Sequence, residues 1–342
     1  MSFADVWLPG LERRRAYRAA KAIFVWGAPL SLLVVGVVLG LSLGAVSLSP
    51  TRILDGLSSR DDAVAHTIVW DLRLPRVILA GLVGAGLAVS GGLLQGVTRN
   101  PLAGPHILGL TAGGGLTASI AVRAWQDFPQ QFVAPVAFGG AIAGAAMVYG
   151  MSWRGGVSPL RLALAGVAVA SLLTAGTTMV LVTSNLTTQA ALSWLAGGLF
   201  GRGWDDLQVM WPYAAAGVGG ALLLSRSMNV LALGDEAALS LGLSVERTRL
   251  FAVGIAALLA GAAVSVAGMV AFVGLVTPHI TRFLTGDDHR TLLPLAAVLG
   301  ASLVVYADLF ARVVQAPVEI PLGIVTAAIG APFLLYLIRT KT

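Results

Sequence analysis

Few side chains in this sequence are of the types that carry out covalent chemistry or hold a metal. The chain has no cysteine, so it offers neither a disulfide framework nor a thiolate metal site. Its four histidines are scattered and match no HExxH or similar ligand spacing; they are His66, His106, His279 and His289. We therefore predict no metal site. We interpret His106 and His279 as polar groups at helix starts, the alternative being ligands.

Acidic residues inside the apolar runs are also scarce. The best candidate for a functional ionisable group inside such a run is Asp308, and the i,i+4 rule pairs it with Arg312 one helical turn later. An intramembrane enzyme would need a paired catalytic constellation within the spans, and a secondary transporter would need carboxylates at the membrane midplane. The sequence shows neither pattern, so both classes are less favoured alternatives.

The sequence lacks the elements of a nucleotide-binding loop. A Walker A motif needs a lysine that follows a glycine, but Lys21 and Lys341 follow an alanine and a threonine. The glycine triplet 113–115 lies inside an apolar run with no preceding strand, which excludes a phosphate loop. If this chain takes part in ATP-driven transport, ATP and Mg²⁺ are used by a separate ATPase chain, and this chain binds no cofactor.

The apolar runs around these residues predict membrane helices. The chain is 57% hydrophobic and 11% charged, against about 25% charged residues in a typical soluble domain. Charged residues are missing from the runs 77–98, 128–153, 162–201, 250–281 and 320–338. A helix needs about 20 apolar residues to cross the bilayer core, whereas barrel strands are shorter and alternate. The predicted fold class is therefore an all-α polytopic membrane protein.

Ten transmembrane helices are predicted. The run 250–281 is too long for one span, and we divide it at GLVTPH (274–279) because Pro278 lacks an N–H group and disfavours helix in the residue before it. An even number of spans also returns the C-terminus to the side of the basic N-terminus. The predicted helices cover 24–46, 77–97, 107–123, 131–150, 161–182, 206–225, 249–271, 273–285, 292–312 and 320–339.

The basic residues set the predicted orientation and domain organisation. Five of them lie in ERRRAYRAAK (12–21), directly before the first apolar run, as expected of a cytoplasmic flank. We predict that residues 1–23 form a cytoplasmic N-terminus and that residues 24–340 form a single transmembrane domain with both termini in the cytoplasm. The first apolar run is longer than the core of a cleaved signal peptide, so we expect it to be retained.

The two halves of the sequence show a weak internal repeat. Arg76 precedes Pro105-His106-Ile107 by the same spacing with which Arg249 precedes Pro278-His279-Ile280. An odd number of predicted spans separates the two copies, so helices 2–5 and 7–10 would form an inverted repeat, and Pro105 would lie in the first turn of the third helix. Inverted repeats with broken helices are typical of transporters. The alternative is a chance match between two loops.

The loop 226–248 predicts a short helix that needs a partner. Asp235 and Glu236 suit a helix N-terminus, and Gly242 suits a C-terminal cap. A helix of about two turns is unstable alone in water. We therefore expect it to dock, either on another protein or on its own bundle at the lipid interface.

A set of segments, taken in order, resembles one family of membrane proteins. The segments are RLPR (73–76), NPLAGPHILG (100–109), RLALAGVA (161–168), SWLAGGLFGRGW (193–204), LALGDEAALSLGLS (231–244), GLVTPHITR (274–282), DHRTLLP (288–294), ADLFAR (307–312) and EIPLGIVTAAIGAPFLLYLIR (319–339). Over about residues 48 to 340, the chain resembles the permeases of type II ABC importers, the FecCD-type subunits that move iron–siderophores, haem and cobalamin.

The resemblance implies a function and a set of partners. It implies ten spans, a second permease subunit that is identical or paralogous, two ABC ATPase subunits and a periplasmic or lipid-anchored substrate-binding protein. It also implies the bacterial cytoplasmic (inner) membrane, no nucleic-acid partner, and alternating access driven by ATP hydrolysis on the ATPase chains. The segments resemble most those of ferric-siderophore or ferric-citrate members, and haem and cobalamin remain open as cargoes.

The resemblance also implies roles for particular residues. The ATPase-coupling helix would comprise Gly234, Asp235, Glu236, Ala237, Leu241 and Gly242. Arg73, Arg76 and Arg312 match arginines that meet acidic residues of the binding protein, the alternative being internal pairing with Asp71 or Asp308.

Two further segments match parts of the transport pathway. Ser158, Pro159 and Leu160 match the region of the cytoplasmic gate, where this sequence departs from the small hydroxyl pair of some members. Residues 191–198 resemble a short helix at the outer mouth.

Overall fold

The described part of the chain is built from helices. The computed structural model describes residues 24–44, 46–58, 62–106, 109–124, 132–183 and 196–341, whose regular structure is helical apart from an isolated bridge between Trp153 and Val157. The helices are α1 Phe24–Ser42, α2 Pro50–Ser58, α3 Ala63–Thr98, α4 Leu110–Ala124, α5 Val133–Ser152, α6 Pro159–Val182, α7 Trp204–Ala232, α8 Asp235–Ser240, α9 Val245–Ala267, α10 Val273–Thr285, α11 His289–Val313 and α12 Leu322–Lys341.

Each predicted span coincides with one of these helices, and the short helices α2 and α8 lie between spans. Within the described ranges, seven helices are long and apolar enough to cross a membrane, namely α1, α3, α5, α6, α7, α9 and α11. Helices α4 and α10 have only 15 and 13 residues, and α12 has a shorter apolar stretch. The chain is therefore a multi-pass helical membrane protein, and the count of ten spans stays a prediction. The basic N-terminus and most of 191–198 lie outside the described residues.

Helix α3 is longer than a membrane is thick. It has 36 residues, which corresponds to about 54 Å at 1.5 Å per residue, against about 30 Å for the hydrocarbon core. After the first turn Ala63–His66, residues Thr67–Arg73 are wound as a π-helix. Arg73 and Arg76 lie where this π-helix meets the regular segment Leu74–Thr98.

The break in the run 250–281 lies before the proline that predicted it. The chain leaves helical geometry at Gly268, with φ 67°, and re-enters it after Phe272, with φ 64°. Pro278 instead lies inside α10. The carbonyl of Gly274, which the missing N–H group leaves free, is approached by the side-chain amide of Gln95 at 3.4 Å. A polar side chain from α3 thus lets α10 continue through the proline.

The segment before α4 also differs from the prediction. Pro105 and His106 lie in a turn, and α4 begins only at Leu110. Gly109 has φ 71°, a left-handed conformation that glycine adopts without strain and that an α-helix does not contain. Pro105 is therefore outside α4, the third predicted span, whereas Pro278, its counterpart in the predicted repeat, lies inside α10.

Glycines bring α3 into backbone contact with two other helices. A Cβ atom added at Gly91 would lie 1.7 Å from the carbonyl oxygen of Gly274 in α10. A Cβ atom at Gly84 would lie 2.1 Å from the carbonyl oxygen of Gly300 in α11. Small residues permit such close packing in membranes, and any side chain at these two positions would force the helices apart.

The packing of the helices follows a pattern that recurs in the two halves. Helix α3 packs along α11 in the second half, and α9 packs along α5 in the first half. Likewise, α4 packs on α5 and α10 packs on α11, while α3 and α9 lie against each other. Helices α3, α4 and α5 therefore make the same kinds of contacts as α9, α10 and α11, respectively.

Candidate functional site

Two clusters of charged residues mark opposite ends of the helix bundle. The regular α-helical part of α3, Leu74–Thr98, begins near Arg76, and the residue after its end, Arg99, contacts Asp235 of α8. Asp235 also binds Arg249 at the start of α9. We refer to these as the Arg76 end and the Arg249 end of the bundle.

The predicted short helix in the loop 226–248 forms at the Arg249 end. Helix α8 covers Asp235–Ser240 and lies between Gly234, with φ 113°, and Gly242, with φ 78°. Both values are in the region that favours glycine. Ala238 is fully buried against the bundle, whereas Leu239 and Leu241 are exposed. The helix is thus seated on its own chain and also presents apolar side chains outwards, as a docking element would.

Asp235 is held by two arginines. Its carboxylate accepts hydrogen bonds from Nη2 of Arg249 at 2.7 and 2.9 Å, and it also pairs with Arg99. Burial alone would raise the pKa of Asp235, but the hydrogen bonds and charges of Arg249 and Arg99 outweigh it and hold the pKa below its usual value. Asp235 is therefore ionised at neutral pH and fixes the first turn of α8.

Arg249 is the charged residue that connects this cluster to the predicted gate. It is only 1% exposed. Its Nη1 donates to the carbonyl oxygen of Val157 at 2.7 Å. The backbone N–H of Val157 in turn donates to the carboxylate of Glu246, one turn earlier in α9, at 3.2 Å. The backbone N–H and C=O groups of Val157 are thus both hydrogen-bonded to side chains of α9.

The predicted gate residues follow directly after Val157. The Oγ of Ser158 caps α6 and accepts hydrogen bonds from the backbone N and the Nε of Arg161, at 3.2 and 3.1 Å. Pro159 is the first helical residue, and Leu160 is 70% exposed. The structure therefore brings these three residues to the same end as α8. The contacts of Arg249 and Val157 were missed, because one partner is a backbone carbonyl remote in sequence.

The three arginines predicted to receive a binding protein lie together at the Arg76 end, and all are buried. Arg76 donates to Asp308 at 2.8 to 3.2 Å and to Glu319 at 2.7 and 3.0 Å. Arg312 pairs with Asp308 at 3.1 Å, which confirms the i,i+4 pair. The alternative of pairing with Asp308 is thus realised for both residues. Their guanidinium groups are engaged inside the protein.

Arg73 has a different kind of partner. It donates to the carbonyl oxygens of Leu41 at 2.7 Å and Ser42 at 3.0 Å, and to that of Val46. These carbonyls follow or end α1, where helical backbone acceptors lack partners. Arg73 thus ties the end of α1 to the start of the bundle without using a carboxylate.

The histidines have different surroundings in the structure. Among the described residues, no group of three or more His, Asp or Glu side chains is arranged to hold a metal ion. His106 lies 3.0 Å from the hydroxyl of Thr111, and burial lowers the pKa of this imidazole. The Nδ1 of His289 lies 2.9 Å from the side-chain oxygen of Asn229. His279 packs against the ring of Phe283.

Several of the described helices leave apolar faces uncovered, and α6 and α12 are two of them. The exposed large side chains of α6 are Leu160, Leu164, Val167, Leu172, Met179 and Val182, and those of α12 are Ile324, Ile329, Leu335 and Tyr336. Such faces suit lipid or another helical subunit.

Comparison with known proteins identifies the family of this fold. The FecCD transport family matches residues 32–340, which is most of the chain. The chain belongs to the FecCD transport family. The resemblance seen in the sequence segments is thereby confirmed, and so is the membership of a permease family.

Individual FecCD relatives match over most of their length. The chain is 42% identical to the iron(3+)-hydroxamate import system permease protein FhuB of Bacillus subtilis, over 95% of this chain and 85% of FhuB. It is also 42% identical to the cobalamin import system permease protein BtuC of Halobacterium salinarum, over 81% of this chain and 74% of BtuC.

A solved structure shows the same FecCD-type fold. It is an inward-facing ABC transporter assigned to the metal-chelate type, with a TM-score of 0.83 and 30% sequence identity. The match covers 92% of this chain and 98% of that chain. The helical arrangement described above is therefore the arrangement of a transporter permease.

Proposed function

We propose that this chain is the membrane-spanning permease subunit of an ATP-driven importer that moves an iron(3+) chelate, a ferric siderophore or ferric citrate, by alternating access. The observation that carries the proposal is the FecCD match over residues 32–340. The match to FhuB extends over more of both chains than the match to BtuC, which favours an iron chelate over cobalamin. Cobalamin and haem are the alternative cargoes.

The partners follow from the same proposal. A substrate-binding protein delivers the chelate, and two separate ATPase subunits use ATP and Mg²⁺, so this chain needs no cofactor. The uncovered apolar faces of α6 and α12 support a second permease subunit, identical or paralogous, packed against them. Helix α8, with Gly234, Glu236, Ala237, Leu241 and Gly242 around Asp235, is proposed to dock on the ATPase.

A topology of ten spans with an inverted repeat belongs to this proposal. The recurrence of α3 on α11 as α9 on α5 supports a repeat of α3–α6 and α9–α12. In the proposed orientation, the Arg249 end and both termini lie in the cytoplasm of a bacterial cell, and Ser158, Pro159 and Leu160 form part of the cytoplasmic gate.

The orientation can be tested with single cysteines, since the chain has none of its own. Ser240→Cys lies exposed on α8, and Thr51→Cys lies exposed on α2 at the Arg76 end. In intact spheroplasts, a membrane-impermeant maleimide is expected to label Thr51→Cys and to spare Ser240→Cys until the membrane is opened. The opposite pattern contradicts the proposed orientation.

Arg73, Arg76 and Arg312 are proposed to form the region on which the binding protein docks. Arg73→Gln is the informative variant, because its partners are backbone carbonyls and its loss leaves no buried carboxylate unpaired. We expect weaker association with the binding protein at low salt, measured by surface plasmon resonance, with exposed Arg154→Gln at the Arg249 end as the control. Unchanged affinity at low salt contradicts the docking role.

Transport by the reconstituted complex tests the proposed cargo. The permease, its ATPase and its binding protein are placed in proteoliposomes and supplied with ⁵⁵Fe-labelled ferric hydroxamate, ⁵⁵Fe-labelled ferric citrate or ⁵⁷Co-labelled cobalamin. We expect ATP-dependent uptake of an iron chelate and little uptake of cobalamin. Uptake of cobalamin alone would reverse the cargo assignment, and uptake without the ATPase would point to a secondary transporter.

A further inference from the structure

Arg249 joins three chain segments whose relative positions matter in the proposed function. Its guanidinium group binds the carboxylate of Asp235, the first residue of α8, and the carbonyl oxygen of Val157, directly before the predicted gate residues. Its own helix, α9, supplies Glu246, whose carboxylate lies 3.6 Å from Nη1. Arg249 thus contacts both α8 and the residue directly before the gate segment.

The burial of Arg249 makes these contacts interdependent. A buried guanidinium needs its partners, because an unpaired charge out of water is costly. If α8 moves, the carboxylate of Asp235 moves with it, and Arg249 must follow or lose its counter-charge. Since the same guanidinium holds the carbonyl of Val157, the start of α6 is displaced together with α8.

The contact with Val157 is a two-point attachment. Its C=O accepts from Arg249 and its N–H donates to Glu246, so both backbone polar groups are bonded to the first turn of α9. Beyond Val157, Arg161 donates to the carbonyl of Gly156 at 2.7 Å and to Ser158. The loop before α6 is therefore held as a unit, and a displacement at Val157 reaches Leu160.

We propose that Arg249 is a positioning residue that transmits the displacement of α8 to the gate segment Ser158–Leu160. This inference rests on the proposed function of α8 as the ATPase-coupling helix. Arg249 touches neither cargo nor nucleotide in this role. It acts by keeping α8, α9 and the loop before α6 in fixed positions relative to one another.

Arg249→Lys tests the assignment in the complete complex. Lysine keeps the charge but presents a single ammonium group, so it cannot hold Asp235 and Val157 with the geometry of a guanidinium. We expect transport per ATP hydrolysed to fall about tenfold, the effect of losing one charge-assisted hydrogen bond, while the rate of ATP hydrolysis changes less than about twofold. Arg247→Lys, an exposed arginine two residues earlier in α9, is the matched control.

A direct readout of the gate segment accompanies these measurements. Leu160→Cys is exposed and is a unique thiol in this chain, so its rate of maleimide labelling reports the position of the segment. We expect the rate to change on ATP binding in the complex with Arg249, to change equally with Arg247→Lys, and to stay constant with Arg249→Lys. An equal ATP response in the Arg249→Lys complex overturns the proposal.

A second variant decides the matter if Arg249→Lys does not assemble. Glu246→Gln weakens the hold on the N–H of Val157 while leaving the pair of Arg249 and Asp235 in place. We expect it to hydrolyse ATP normally and to transport less, with a smaller ATP response at Leu160→Cys; unchanged transport and response overturn the proposal. If the unmodified complex shows no ATP-dependent transport, the proposed function fails instead.

Discussion

The clusters of charged residues around Arg76 and Arg249 have similar arrangements, but their carboxylates differ in exposure to solvent. Each arginine is buried near the start of a long regular helical segment, Leu74–Thr98 or α9, and binds at least one carboxylate from another part of the chain. Each cluster also reaches the segment that leads into a helix with an uncovered apolar face. Glu319 lies shortly before α12, and Val157 lies shortly before α6.

The two clusters differ in the carboxylates that complete them. At the Arg76 end, Asp308 is 2% exposed and sits between two arginines on the long helices α3 and α11. At the Arg249 end, the side chain of Asp235 is 40% exposed and belongs to the short helix α8. The first cluster is enclosed by the bundle, whereas the second extends to the surface.

This difference indicates different roles for the two clusters. An enclosed ion-pair cluster fixes the helices that carry it, because breaking it strands charges inside the protein. A cluster that ends on a short exposed helix can be moved from outside by a partner that grips that helix. We therefore expect substitutions at the Arg76 end mainly to lower the stability of the protein. Substitutions at the Arg249 end should mainly weaken the coupling of transport to ATP hydrolysis.

The largest expected effect is at Asp308. Asp308→Ala leaves Arg312 without its carboxylate partner and Arg76 with Glu319 alone. We expect a loss of about 3–5 kcal/mol in the free energy of unfolding, measured by SDS titration of the protein in detergent micelles. Asp205→Asn, at an exposed aspartate in the first turn of α7, serves as the control and is expected to change stability by less than about 0.5 kcal/mol. A loss at Asp308 no larger than at Asp205 would remove the distinction between the two ends.

A smaller loss of stability is expected at Asp235. Asp235→Asn keeps one acceptor for Arg249, and the partial exposure of this carboxylate weakens the ion pair by solvent screening. We expect a loss of about 1–2 kcal/mol in the same unfolding titration, together with a fall in transport per ATP hydrolysed. If the variant is as unstable as Asp308→Ala and transports normally, the comparison between the clusters is reversed.

The smallest expected effect is a dependence on pH at the Arg249 end. Arg249 and Arg99 hold the pKa of Asp235 below its ordinary value of 3.8, so the contribution of this ion pair is complete above pH 3.8 and is lost as the pH falls through the lower folded-state pKa. A spin label on Ser240→Cys is expected to keep constant mobility from about pH 8 to pH 5 and to gain mobility only as the pH falls below 3.8. With Asp235→Asn added, the mobility should not change in this acid range. An acid transition that survives in the double variant assigns the titration to another group.

The positions of the helices could be predicted from the sequence to a large extent. Long charge-free runs specify membrane helices, and the predicted range 273–285 agrees with α10. The reason given for the break was wrong, because Pro278 lies inside α10, where the carbonyl of Gly274 is approached by Gln95 from another helix. Helix α2 was missed, because its nine residues lie in a polar segment that carries no long apolar run.

The local elements of the candidate site could be predicted from the sequence, but the contacts between distant segments could not. Asp235, Glu236 and the flanking glycines carry local signals of a short helix, and Asp308 and Arg312 are one turn apart. Sequence reasoning left open whether Arg76 pairs internally, since the choice of Asp308 depends on how α3 packs on α11. The contact of Arg249 with Val157 had no local signal, because a backbone carbonyl can be supplied by any residue type.

The glycine contacts of α3 have a consequence for how the molecule can deform. Gly84 and Gly91 lie two turns apart on one face of α3 and touch the backbones of α11 and α10. Turning α3 about its axis would carry a side chain into one of these contacts and wedge the helices apart. We therefore expect the three helices to move as one unit, with the hinges of any large rearrangement outside it.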